Sequence, residues 1–145
     1  MVAYANPGSC NNSYRQQTAK TASPGELTLM LYDGCIKFLK LAKLHIEESN
    51  IDKAHDSSIK AQNIIHEFMT TLDMQYDVSK QLMSLYQFML EEIKAANIAK
   101  ETVRLLPVID LLTELRNTWQ QAVKINRQQQ SGGAAPMSSG GSFEI

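Results

Sequence analysis

Histidine, cysteine and glycine are the residues through which this chain would do chemistry, and their spacing does not support it. His45, His55 and His66 form neither an HExxH motif nor the paired Glu-x-x-His of a di-iron bundle, so neither zinc hydrolysis nor di-metal chemistry is expected. Asp52-x-x-His55 has ligand spacing but lacks a second such pair. A histidine on a bundle helix admits a phosphotransfer reading, with His66 as the phosphorylated residue. The following Glu67-Phe68-Met69 supplies neither a lysine to hold phosphate nor a glycine to give access. Cys35 lies on an apolar stripe with no histidine in view of it, which describes an inert buried thiol. The glycine pairs at 132–133 and 140–141 precede no helix and so cradle no phosphate. No catalytic residue, metal or cofactor is expected.

Other side chains suit recognition. Gln62 and Asn63 stand mid-helix beside apolar positions, where amides can pair with the backbone of an extended partner or simply face solvent. Tyr32 and Tyr86 each offer an apolar ring with one hydroxyl.

The composition excludes several classes of protein. At 145 residues, 43% of them apolar and 20% charged, the chain suits one soluble globular domain. Its 14 Lys+Arg against 15 Asp+Glu leave a net charge of -1, without the basic footprint of a nucleic-acid binder. No apolar run approaches the ~20 residues that insert into and span a bilayer. Met1–Cys10 has no basic flank followed by an apolar core, so no secretory leader is expected there. Two cysteines build no disulfide framework, and a reducing cytoplasm is the expected location.

Three segments follow from composition. Residues 1–22 are rich in Asn, Gln, Ser and Thr, and residues 23–127 hold nearly all the Leu and Ile. Residues 128–145 contain four of the seven glycines and are expected to form a flexible tail. Within the middle segment, spacing predicts four helices. Ser23-Pro24-Gly25-Glu26 is a helix start with a capping serine, a proline at the first position and a glutamate that can reach back. That helix is expected to run to about Ser49. A second begins near Asn50, with Ile51, Ala54, Ser58, Ala61, Ile65, Phe68 and Leu72 in alternating steps of three and four. A third begins near Asp77, with Val78, Leu82, Leu85, Met89, Ile93 and Ala96 on one side. The last opens at Pro107 or a turn earlier and carries Leu105, Val108, Leu112, Leu115, Trp119 and Ala122. Such seams pack at shallow angles, and the short links at 49–51, 73–77 and 97–102 make neighbours antiparallel. The fold expected is an all-α, up-down four-helix bundle.

Two helices carry more apolar surface than one seam uses. On the first, Leu27, Leu31, Phe38 and Leu41 make one stripe, and Tyr32, Cys35, Leu39, Ala42 and Ile46 an adjacent one. The fourth has Leu105, Leu106, Val108, Ile109, Leu111 and Leu112. Either these helices are central and more buried, or a groove between helices accepts an amphipathic segment of a partner. Met30, Met69, Met74, Met83 and Met89 fit both cases, as core filler or as adaptable binding surface.

The chain carries Ser23-Pro24, Leu29-Met30-Leu31-Tyr32-Asp33-Gly34, Lys60-Ala61-Gln62-Asn63-Ile64-Ile65, Leu72-Asp73, Leu85-Tyr86, Ala96-Asn97 and Leu115-Arg116-x-x-Trp119. Together, in order and spacing from about Tyr14 to Lys124, these motifs resemble the FliS family of flagellin chaperones. Tyr76 stands in the link before the third helix, where family members usually have glycine.

The resemblance implies a non-enzymatic cytoplasmic export chaperone. Such proteins hold the disordered C-terminal segment of flagellin, one to one, in apolar grooves of the bundle. They prevent premature polymerisation and deliver flagellin to the membrane protein of the type III export gate. The family's N-terminal segment, matched here by Tyr14, fills part of the groove as a lid until flagellin arrives. With the apolar stripes, this makes Tyr14, Leu29, Leu31 and Tyr32 the expected partner-binding residues near the first helix. Gln62, Asn63, Ile64 and Tyr86 follow on the middle helices, and Leu105 and Ile109 on the last. An adaptor bundle for another protein of the export system would carry the same apolar surface, and only the partner's identity separates the two.

Overall fold

Ser23 begins the first helix in the manner its spacing predicts. Its hydroxyl accepts from the Glu26 amide at 3.2 Å, while the Glu26 carboxylate accepts from the Ser23 amide at 3.1 Å. This reciprocal cap satisfies two amides that the helix itself leaves unpaired. The computed structural model describes residues 22–132. Among them the helices are α1 (Pro24–Glu47), α2 (Ile51–Thr71), α3 (Asp77–Ala99) and α4 (Leu105–Gly132), with no strand. Asn50 caps α2, its side-chain oxygen accepting from the Lys53 amide at 3.4 Å. Pro107 falls in the first turn of α4, where its missing N–H costs nothing.

The helices form an antiparallel ring in which α1 packs on α2 and α4, and α2 on α3, while the α3–α4 seam is the thinnest. Of the two stripes on α1, the one containing Tyr32, Cys35, Leu39 and Ala42 is the core stripe. It meets Ala61, Ile65 and Phe68 of α2, Met89 and Ile93 of α3, and Val108 and Leu112 of α4. Leu31 and Phe38 of the other stripe only edge against that core, and Leu27 is exposed. The serine that interrupts the α2 seam is accommodated, because the buried Gln62 amide donates to Ser58 Oγ at 3.1 Å. Arg116 donates to Asp33 at 2.7 Å, and Arg127 to Glu26, pinning α4 along α1.

Boundaries differ from expectation in two places. Helix α1 stops at Glu47 rather than near Ser49, because Ser49 takes a left-handed φ of 60° that ends the helical run. Helix α4 continues through residues 128–132, which composition assigned to a flexible tail. A helix already held by packing propagates through glutamines, which are good helix formers. Tyr76 lies at φ -98° and ψ 141°, extended backbone open to any residue, so no glycine is needed before α3. Tyr14 and the rest of residues 1–21 lie outside the described residues, as do residues 133–145.

Candidate functional site

At the pole where α1 and α3 begin and α2 ends, the helices enclose a cavity of about 450 Å³ that opens to solvent. Leu31 and Tyr32 of α1, Phe68 of α2, Val78, Leu82 and Tyr86 of α3, and Leu115 and Trp119 of α4 line it. Three aromatic rings form a continuous pile. Tyr32 and Phe68 have centroids 4.5 Å apart, and Phe68 and Tyr86 are stacked at 5.3 Å. The two tyrosine hydroxyls meet at 2.7 Å. Burial raises the pKa of both phenols, so both stay protonated at neutral pH. Trp119 is held at the rim by its indole N–H, which donates to the Gly25 carbonyl at 2.8 Å. The rim threonines Thr28 and Thr71 bond within their own helices, to the carbonyls of Pro24 at 3.2 Å and Glu67 at 3.0 Å. The wall therefore offers apolar surface and very few free polar groups.

Beyond the cavity lining, apolar residues continue along α3 and α4 as a strip in the sequence. Leu85 and Phe88 follow Leu82 on α3, and Leu111 lies one turn from Leu115 on α4. Phe88 is 44% exposed, although a ring of that size is normally covered. The strip ends where Arg104 donates to Glu92 at 3.2 Å across the seam. From Val78 to Phe88 the strip measures roughly 15 Å at the helical rise, enough for nearly three turns of a docked helix.

The expected partner residues among those described do not all come together. Leu31, Tyr32 and Tyr86 come together in the cavity wall. Leu29 is half-buried elsewhere on α1. Ile64 is half-buried on α2, where a Cβ added to Gly34 of α1 would lie 3.6 Å from it. Asn63 beside it is exposed. Gln62 points inward to Ser58 rather than toward solvent. Leu105 and Ile109 are core residues at the opposite pole, Leu105 only 2% exposed, and they present little surface in this state. Phe68, Val78, Leu82, Leu115 and Trp119 were legible as seam residues but not as lining of a site. The available signal was that large side chains crowd toward one pole once the helices alternate in direction.

Cys35 is fully buried, and burial pushes its thiol up to about 12, which removes it as a nucleophile. No group of three or more His, Cys, Asp or Glu side chains able to hold a metal occurs among the described residues. Nor is any described helix long and apolar enough to cross a membrane.

The described residues thus form an all-α bundle with an inert buried thiol and an open, aromatic-walled apolar cavity. The chain matches the family described as flagellar protein FliS over residues 6–126 and belongs to it. It is 40% identical to the flagellar secretion chaperone FliS of Bacillus subtilis over 120 residues, 83% of this chain and 90% of that one. It is 32% identical to the Vibrio cholerae protein of the same name, over 69% of this chain and 75% of the relative. A solved structure titled as a flagellar chaperone from bacteria shares the fold, with a TM-score of 0.66 at 18% identity, over 79% of this chain and 98% of that one. This is a family of chaperones for flagellar secretion, not of enzymes.

Proposed function

We propose that the chain binds the C-terminal segment of flagellin, one to one, in the cytoplasm. It thereby keeps flagellin from polymerising and presents it to the membrane protein of the flagellar type III export gate. The observation that carries this reading is the open aromatic-walled cavity, with Phe88 exposed farther along α3. A segment too short of apolar surface to fold alone buries it here as helix, and the gain offsets its lost chain entropy. Each fully buried Leu or Phe supplies about 1.5–3 kcal/mol, so several such anchors suffice for tight binding after ordering costs. The segment before α1, with Tyr14, competes for the cavity as a lid, since Pro24 at the start of α1 already stands on its rim.

Calorimetric titration with the isolated C-terminal segment of flagellin from the same organism, followed by circular dichroism, tests this. One-to-one binding with a gain in helix is expected, and tighter binding once residues 1–22 are deleted. A folded chain that does not bind overturns the assignment, and unchanged or weaker binding by the shortened chain overturns the lid.

A further inference from the structure

Two hydroxyls hydrogen-bonded to each other hold two hydrogens, and only one of these lies between the oxygens. Tyr32 and Tyr86 are such a pair, 4% and 3% exposed, with the oxygens 2.7 Å apart. Neither hydroxyl has another hydrogen-bond partner among the described residues. One tyrosine therefore donates inward to the other, and the accepting tyrosine keeps a hydrogen with no protein acceptor. A buried donor left unpaired is costly, so this hydrogen needs solvent in the free protein and an acceptor when the cavity is filled. Both rings belong to the cavity wall, where most of the remaining surface is apolar.

We propose that the Tyr32–Tyr86 pair is a specificity determinant of the cavity, selecting an occupant that places a neutral amide oxygen against the hydroxyls beside its apolar anchor. The proposal rests on the cavity being the seat of the flagellin segment. An amide oxygen, from an Asn or Gln side chain or from a carbonyl freed at a helix end, accepts the spare hydrogen without bringing in charge. A carboxylate would be desolvated against apolar walls with Glu67 on the rim. A donor such as a lysine would leave the spare hydrogen unpaired. A purely aliphatic occupant fills the space but strands the hydroxyl.

The pairing gives an uneven signature. Removing the hydroxyl that donates inward leaves its partner still able to donate to the occupant. Removing the one that faces the occupant breaks the contact. In the full-length chain, Tyr32→Phe, Tyr86→Phe and the double variant are titrated calorimetrically with the flagellin C-terminal segment, with melting temperatures measured alongside. One single variant should lose about tenfold in affinity and the other stay within about twofold, with the double no worse than the weaker single. Segment variants that replace each Asn or Gln by Leu or Met, titrated against the unmutated chaperone, need no change to its core. If the acceptor is a side chain, one of them should show the same loss, and should show none in the weaker tyrosine variant. Affinity unchanged in all three chaperone variants, or equal and additive losses in the two singles, overturns the proposal. Failure of the folded wild-type chain to bind the segment overturns the assignment of the cavity and the proposal with it.

Discussion

Cys35 and Gln62 show how little a residue's type says until its direction is known. Cys35 is enclosed by core side chains, and its thiol makes only a long contact of 3.7 Å to the Ala61 carbonyl. With its pKa pushed up to about 12, about one molecule in 10⁴ carries the thiolate at pH 8. In a Cys10→Ser chain, iodoacetamide at pH 8 should leave Cys35 unmodified until denaturant is added. Rapid labelling of the native chain would show that the core opens there. Gln62 and Asn63 were equivalent in sequence as two mid-helix amides. A rotation of about 100° per residue turns one toward Ser58 and the other to solvent, and only the packing of α2 on its neighbours decides which.

At the scale of the element, α1 and α4 are fitted to each other through small features that periodicity does not reveal. Gly25 lies under α4, where an added Cβ would come within 3.1 Å of Val123 Cγ2. Its carbonyl also accepts from Trp119. An alanine there would gain helix propensity of roughly 0.5–1 kcal/mol, but the tight contact opposes it. We expect Gly25→Ala to be neutral or destabilising alone and to become stabilising, by a few tenths of a kcal/mol or more, in a Val123→Ala background. Urea unfolding of the four chains measures the coupling, and identical effects in both backgrounds would mean that α1 and α4 do not approach closely at this turn. The cap Ser23-Pro24-Gly25-Glu26 was legible because its pattern is local. The extension of α4 through residues 128–132 was not, because it rests on a helix already held by packing, which carries on through glutamines.

For the whole molecule, the relevant contrast is between pressure on the core and pressure on the cavity. Leu112 is fully buried between helices, so Leu112→Ala should cost about 2–5 kcal/mol of stability. Val78 is 43% exposed at the cavity rim. Val78→Asp should leave the melting temperature within a few degrees, yet weaken binding of the flagellin segment about tenfold or more, through one lost apolar contact and a charge at the rim. Thermal melts and calorimetry on the two variants separate these roles. A Val78→Asp chain that melts as wild type and binds as tightly would place the site elsewhere on the bundle.

Helix number, order and antiparallel course, the caps and the absence of catalytic spacing were all determined by the amino-acid sequence. Each depends on contacts within a turn or two, or on a periodicity of three and four that survives any arrangement of neighbours. Residues with the same apolar type and the same spacing were not separable in that way. Tyr32 and Leu31 are adjacent on α1, and Leu105 and Leu115 share one seam of α4. Tertiary structure makes Leu105 core and Leu115 cavity wall, because the bundle closes over small side chains such as Ala54 and Ala96 near one pole and is held open by Tyr32, Phe68 and Tyr86 near the other. Which apolar surface is left over for a partner is a property of how four helices fill space together, and no single helix carries that information.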